Sequence, residues 1–210
     1  MTSNSQPQSH TISFMNVQAL KASHPQVRKL KRQQQGHAAH GNKVWRSSFV
    51  LMDYLSGLDI PQKSKVLDIG CGWGLAGIYL ATQHQAEVTG LDIDASVEPF
   101  LELQAEVNDC SINFQERSFE SLTDTELAEY HTLMGTDICF WDEMTTPLFD
   151  LVSRAIDAGC QNILIADPGR PPFWDLVDQC MATYANAEVV TRRIYEPWKT
   201  EKFILTIDKA

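Results

Sequence analysis

Several things are scarce in this 210-residue chain, and each shortage removes a class of protein. Its five cysteines, at 71, 110, 139, 160 and 180, are odd in number and include no C-x-x-C pair. Neither a disulfide framework nor a zinc site is thereby indicated, and thiols kept reduced in a cytoplasm are expected. No stretch approaches the about 20 apolar residues a membrane-spanning helix needs, and Met1 to His10 is polar. A cytoplasmic protein with no membrane partner is the expectation. Acids are missing from the beginning: residues 1 to 46 hold Lys21, Arg28, Lys29, Lys31, Arg32, Lys43 and Arg46 and no Asp or Glu. With a net charge of −10 for the whole, that +7 leaves −17 for the remainder. The basic segment is free to contact an acidic partner, to fold back on the acidic body or to stay solvated. It lacks interleaved aromatics and any nucleic-acid module, which disfavours RNA without excluding it. His24, His37 and His40 have no cysteine or carboxylate nearby, so no metal site is expected.

What is present is an ordinary globular composition, 43% hydrophobic and 21% charged, sufficient for one core. Residues 1 to about 15, rich in Ser, Gln, Asn and Thr, are expected to be disordered, within a basic arm over 1–40 that precedes a domain over 41–210. A helix is expected from about Lys43 to Leu55. Strand and helix signals then alternate: strand Val66 to Ile69, helix Leu75 to Gln83, strand Ala86 to Leu91, helix Ala95 to Asn108 and strand Ile112 to Glu116. Thr123-x-x-Glu126 reads as a capping box. Strand Thr136 to Trp141 should lead into a helix with Thr146 as N-cap, Pro147 at its first position and Gly159 beyond its end. Strand Asn162 to Ala166 and a helix from Pro171 to about Tyr184 follow. The final β-rich runs, Glu188 to Tyr195 and Lys202 to Ile207, are too close for a parallel return and must pair as an antiparallel hairpin. The sum is an α/β fold, a doubly wound Rossmann-like sheet, mostly parallel with an antiparallel C-terminal hairpin.

The richest run is K-V-L-D-I-G-C-G-W-G-L-A-G, from Lys65 to Gly77. It reads as a buried strand turning through glycines into a helix, the layout of a nucleotide-type cofactor site. Gly70, Gly72 and Gly74 give G-x-G-x-G, while Gly72, Gly74 and Gly77 give the dinucleotide form G-x-G-x-x-G. Asp68 favours the first register. A carboxylate there would oppose a pyrophosphate but suits the cationic methionine part of S-adenosylmethionine. Asp92, ending the next strand, is placed to accept from ribose hydroxyls, or to cap the following helix. Cys71 fits the loop as a small side chain, with no neighbour that would make it a nucleophile.

Together, the glycine turn, the acid after the second strand and the terminal hairpin resemble the class I, seven-strand S-adenosylmethionine-dependent methyltransferases, over about residues 41 to 210. Two stretches are similar to the methyltransferase-like protein-lysine methyltransferases. One is Gly41 to Leu51 (G-N-K-V-W-R-S-S-F-V-L), similar to the opening helix of that group, which would set Trp45 against the cofactor rather than in the core. The other is Asp167-Pro168-Gly169-Arg170, a D-P-G-R after the fifth strand that resembles the branch acting on the electron-transfer flavoprotein β-subunit. Asp167 and Arg170 would present a substrate loop at the sheet edge, or close a rigid turn as an internal pair. That group carries D-x-x-Y or D-x-x-F after the fourth strand, where Asp142-Glu143-Met144-Thr145 keeps the acid and lacks the aromatic. The resemblance implies Ser118 and Phe119 near adenine and Trp141 lining the amine channel. For the carboxylate that orients the amine it implies Asp142, with Glu143 as substitute, or else these acids merely charge a helix start. Methylation of a protein lysine is the expectation. A small-molecule or RNA methyltransferase, an NAD oxidoreductase and a non-catalytic cofactor-binding interaction module are the competing readings.

Overall fold

The computed structural model describes residues 10–33 and 43–208. His37, His40, most of the Gln33 to Gln35 run and the first nine residues lie outside them. Order begins earlier than composition suggested. Strands β1 (Thr11–Phe14) and β2 (Val17–Leu20) form an antiparallel hairpin whose turn residues, Met15 and Asn16, are both left-handed at φ 49° and 64°. Such a turn matches the natural twist of a two-residue hairpin. The Ser, Gln and Thr of this stretch alternate with Ile12, Val17 and Ala19, which are buried; averaging over the window hid the alternation.

Helix α1 (Pro25–Gln33) follows, then α2 (Arg46–Leu55), β3 (Lys65–Ile69), α3 (Leu75–Gln83), β4 (Glu87–Asp92), α4 (Glu98–Glu106) and β5 (Asn113–Glu116). A short helix α5 (Asp124–Leu127) carries the expected Thr123 and Glu126 capping box. The chain ends with β6 (Thr132–Thr136), α6 (Thr145–Ala158), β7 (Asn162–Asp167), α7 (Pro171–Thr183), β8 (Ala187–Ile194) and β9 (Thr200–Asp208). Of the boundaries that depart from expectation, two bear on the site. The fourth parallel strand lies four residues earlier than Thr136 to Trp141, because Asp137 turns left-handed (φ 56°) and ends it. Residues after it, though apolar, are loop. Helix α6 starts at Thr145 behind a 3-10 turn, with Met144 rather than Thr146 at its N-cap; Gly159 (φ 104°) stops it as expected.

Seven strands make one sheet in the order β5-β4-β3-β6-β7-β9-β8. The first five are mutually parallel, and β9 runs antiparallel to both β7 and β8. Alternation along the strands divides the core. Val66, Met134, Leu164 and Ile204 join Phe49, Leu51 and Ile78 on one face, while Leu67, Leu133, Ile163 and Leu205 join Leu148, Leu151 and Phe173 on the other. Each such side chain contributes about 1.5–3 kcal/mol when fully buried. The chain leaves β3 toward β4 on one side and reaches β6 on the other, so a crevice opens at the carboxyl ends of β3, β4 and β6, where open α/β sheets bind ligands.

The hairpin docks on α4. Gln104 accepts the Leu20 N–H and donates to the Leu20 carbonyl, both at 2.9 Å and buried, and Asn108 makes the same reciprocal pair with Gln18 at 2.7 and 2.8 Å. Side-chain amides thus stand in for a neighbouring strand. Val27 of α1 packs beside them against Trp73, Phe100 and Leu103. Among the described residues, no helix is long and apolar enough to cross a membrane, and no cluster of His, Cys, Asp or Glu could hold a metal.

Candidate functional site

The loop joining β3 to α3 crosses the carboxyl end of the sheet, tied to β4 by the Cys71 N–H donating to the Leu91 carbonyl at 2.9 Å. Gly70, Gly72 and Gly74 are all left-handed, at φ 59°, 52° and 70°, a conformation that costs other residues about 1–2 kcal/mol. Their surroundings differ. A Cβ on Gly70 would stand 2.6 Å from Ile138, and one on Gly74 3.1 Å from Leu101, while one on Gly72 would meet nothing within 4 Å. Gly70 therefore serves packing, and Gly72 keeps a surface open to the cleft. Gly77, inside α3, would bring a Cβ to 2.9 Å from Val88, which makes it a helix-packing glycine.

The two acids expected near the cofactor part company. Asp68 has the strand parity of Val66, so its side chain lies under α3 rather than in the crevice. It is 3% exposed, accepts the Gly77 N–H, and burial pushes its carboxyl up to about 7. Its place is beneath the loop, contrary to the expected contact with a cationic ligand. Asp92 does line the cleft; one oxygen accepts the Gly72 N–H and the other the Asp94 N–H, each at 3.0 Å, and burial raises its carboxyl above the ordinary range. Beside it, Ile93 stands 72% exposed and Phe119 adds an apolar wall. Ser118 is turned aside: its hydroxyl caps a 3-10 turn by accepting the Glu120 N–H at 3.2 Å, and it does not line the cleft. Arg117 is the polar neighbour instead, tied at 2.7 Å to Glu126.

At the opposite wall Trp45, Phe140 and Trp141 come together. The Phe140 ring lies 5.7 Å from Trp45 and 5.6 Å from Trp141, and Lys43 Nζ sits 4.1 Å over the Trp45 ring. Trp45 and Trp141 both line the cleft, Trp141 half exposed. Asp142 and Glu143 do not. Both are exposed in the 3-10 turn before α6, outside the residues that form the cleft. On this wall the acid that lines the cleft is Asp137, immediately after β6 and 5% exposed. Its backbone N–H donates to the Ala166 carbonyl at 2.9 Å, and one carboxylate oxygen accepts from Arg170 at 3.2 Å. The other oxygen, Oδ2, is buried with no hydrogen-bond partner.

Asp167 and Arg170 form an internal pair. Arg170 donates to Asp167 Oδ2 at 2.6 Å, while Asp167 Oδ1 accepts the N–H groups of Gly169 and Arg170 at 2.9 and 2.8 Å. Neither lines the cleft directly. Counted from the observed end of β6, the D-x-x-F spacing is present as Asp137-Ile138-Cys139-Phe140, five residues before the segment in which it was sought. Placing the strand correctly would have found it. Ile138 links the two walls, since it fills the space over Gly70 and Gly135.

A nucleoside with a polar tail fits these walls: an open glycine backbone at Gly72, a carboxylate at Asp92, apolar faces at Ile93, Phe119 and Trp45. Comparison with known proteins agrees. An electron transfer flavoprotein β subunit lysine methyltransferase from Xenopus laevis is 31% identical over 133 residues, covering 61% of this chain and 52% of that protein, so the chain spans about half of that relative's length. In fold, the chain is similar to TrmN from Thermus thermophilus (TM-score 0.60, 14% identity, 78% of this chain and 49% of that one). It is also similar to a Pyrococcus abyssi tRNA (uracil-54, C5)-methyltransferase in complex with S-adenosyl-L-homocysteine (TM-score 0.58, 17% identity, 94% and 43%). The lysine methyltransferase family profile matches residues 25–171, from the basic helix through the D-P-G-R turn. By that match the chain belongs to the lysine methyltransferase family, whose cofactor is S-adenosylmethionine.

Proposed function

We propose that this chain is an S-adenosylmethionine-dependent methyltransferase that modifies a lysine side chain of a protein, with Asp137 as the group that receives the amine. One observation carries the reading: Asp137 Oδ2 is a buried carboxylate oxygen without a partner in the wall of the cleft. Leaving such an atom unpaired costs about 1–3 kcal/mol or more, a penalty an incoming ammonium would relieve. S-adenosylmethionine, when bound, supplies a methyl group already activated on a sulfonium. The chain's own work is binding, alignment and exclusion of water. Gly72, Asp92, Ile93, Phe119 and Trp45 would hold the cofactor, with Gly70 and Gly74 shaping the loop. The lysine ammonium would give up one proton to water at the mouth of the cleft, and Asp137 Oδ2 would accept a hydrogen bond from the N–H of the neutral amine that remains, holding it in place. Phe140 and Trp141 wall the approach, and their low polarity favours the neutral amine that must react.

The substrate surface is expected to be acidic around its target lysine. Lys31 lies 5.6 Å over Trp73 and Lys43 4.1 Å over Trp45, both rings of the cleft lining, and Arg46, next to Trp45 in the chain, lies 5.2 Å over Trp198. Those cations belong to the segment with no acid, a field that steers an acidic protein. The electron transfer flavoprotein β subunit is one candidate, named by the relative above.

The test is incubation with tritiated S-adenosylmethionine and lysate from a strain lacking this protein, followed by mass spectrometry of labelled species. Label on protein lysine supports the reading; label confined to RNA or metabolites overturns it. Asp137→Asn is expected to cut incorporation by about 100-fold or more while S-adenosylhomocysteine affinity stays within twofold. Unchanged incorporation would remove Asp137 from the site.

A further inference from the structure

Three charged side chains, Asp137, Asp167 and Arg170, meet behind the cleft, and of the three Asp137 is the one that lines it. Asp167 is fully buried, yet its Oδ1 is satisfied by two backbone N–H groups and its Oδ2 by Arg170 at 2.6 Å. Arg170 has a second arm, which reaches Asp137 Oδ1 at 3.2 Å, and its Cζ lies 4.2 Å from the centroid of the Phe140 ring. The cation is thus held by a carboxylate at one edge, an aromatic face beneath and a second carboxylate at the other edge.

That arrangement divides the charge unequally. Asp167 and Arg170 neutralise each other inside a turn that Gly169 (φ 95°) and the loop N–H groups hold rigid. The surplus negative charge falls on Asp137, whose remaining oxygen is the unpartnered one. A planar guanidinium can serve two carboxylates at fixed separation, where an ammonium on a flexible stem cannot. The backbone completes the clamp, since Asp137 donates its N–H to Ala166, the residue before Asp167.

We infer that Arg170, braced by Asp167 and Phe140, is a positioning residue for the acceptor amine: it fixes the Asp137 carboxylate so that Oδ2 faces the cleft. The inference rests on the reading of Asp137 given above. It assigns the D-P-G-R turn to orientation of that acid rather than to contact with substrate.

The probe is n-butylammonium chloride, which has the reacting end of a lysine side chain, titrated into protein saturated with S-adenosylhomocysteine and followed by tryptophan fluorescence, because Trp45 and Trp141 line the site. Arg170→Met is expected to weaken butylammonium binding at least tenfold and leave S-adenosylhomocysteine affinity within twofold, with Arg170→Lys recovering only part of the loss. The double variant Asp137→Asn with Arg170→Met should bind no worse than Asp137→Asn alone. Wild-type binding in Arg170→Met, or losses that multiply in the double variant, would overturn the inference. Should Arg170→Met fail to fold, Asp167→Asn keeps the turn's N–H acceptor, removes the brace, and must weaken the amine severalfold. Asp137→Asn separates the two layers: if it binds butylammonium as tightly as wild type, or if wild type binds none, the reading of Asp137 itself fails and the positioning role falls with it.

Discussion

On the β3 and β4 side of the cleft the carboxylates of Asp68 and Asp92 are held by backbone N–H groups of Gly77, Gly72 and Asp94. On the β6 and β7 side the carboxylates of Asp137 and Asp167 share a guanidinium. Backbone donors come with the fold and survive any substitution of their own residue except by proline. A side-chain donor can be altered by one mutation. Under the proposed function the first wall holds the one constant ligand, and the second is the wall open to adjustment for different acceptors.

Three changes probe that contrast. The largest effect is expected from Gly72→Val. It places a β-branched residue at a left-handed φ and fills the one open Cβ direction in the loop. S-adenosylhomocysteine binding measured by calorimetry should fall by about 100-fold or more, because the ligand and the side chain compete for one space. Binding within threefold of wild type would mean that the cofactor approaches elsewhere.

Next comes the pH dependence of Asp68. Its carboxyl titrates near 7 in the fold against an ordinary 3.8, chiefly through burial. The folded protein therefore binds the extra proton between those values, and stability falls as pH rises through the window, the whole cost being present above about 7. At about 1.4 kcal/mol per unit this is on the order of 4 kcal/mol between pH 4 and pH 8. Asp68→Asn should melt higher than wild type at pH 8 and lose that advantage at pH 4; an equal difference at both would show that no buried charge is involved.

The smallest effect belongs to the exposed turn. Asp142→Asn with Glu143→Gln is expected to leave methyl incorporation within twofold, since neither side chain lines the cleft. A loss comparable to that of Asp137→Asn would return the orienting role to Asp142 and undo the contrast between the walls.

Local rules served well where the residues themselves enforce a conformation. Leu75 to Gln83 is helical over its full expected length, the Thr123 and Glu126 box closes as read, and Gly159 ends α6. They failed where parity or long-range pairing decides. Thr132 to Thr136 lies between β3 and β7 and pairs with both, whereas β-rich residues draw the sequence expectation to Thr136 to Trp141, which puts the D-x-x-F acid at 142 rather than at 137. For Asp68 the signal was present: it alternates with Leu67 and Ile69, whose side chains pack on the other face of the sheet. Ser118 is a natural cap, and local hydrogen bonding won over a ligand role. Nothing in the chain near 170 foretold that Arg170 would reach residue 137, because that contact exists only once β6 and β7 lie side by side.

The amide clamp between the N-terminal hairpin and α4 has a mechanical meaning. Helix α4 carries Leu101, which presses on the site a Gly74 Cβ would occupy, and Phe100, stacked 5.1 Å from Trp73 of the glycine loop. Gln104 is one turn further along the same helix and grips Leu20. The helix is thus a rod with the hairpin at one end and the cofactor loop at the other. A protein trimmed of its first 21 residues should release S-adenosylhomocysteine faster in stopped-flow measurements, although none of the described residues removed lines the cleft; an unchanged release rate would show that the hairpin is no brace on ligand residence time.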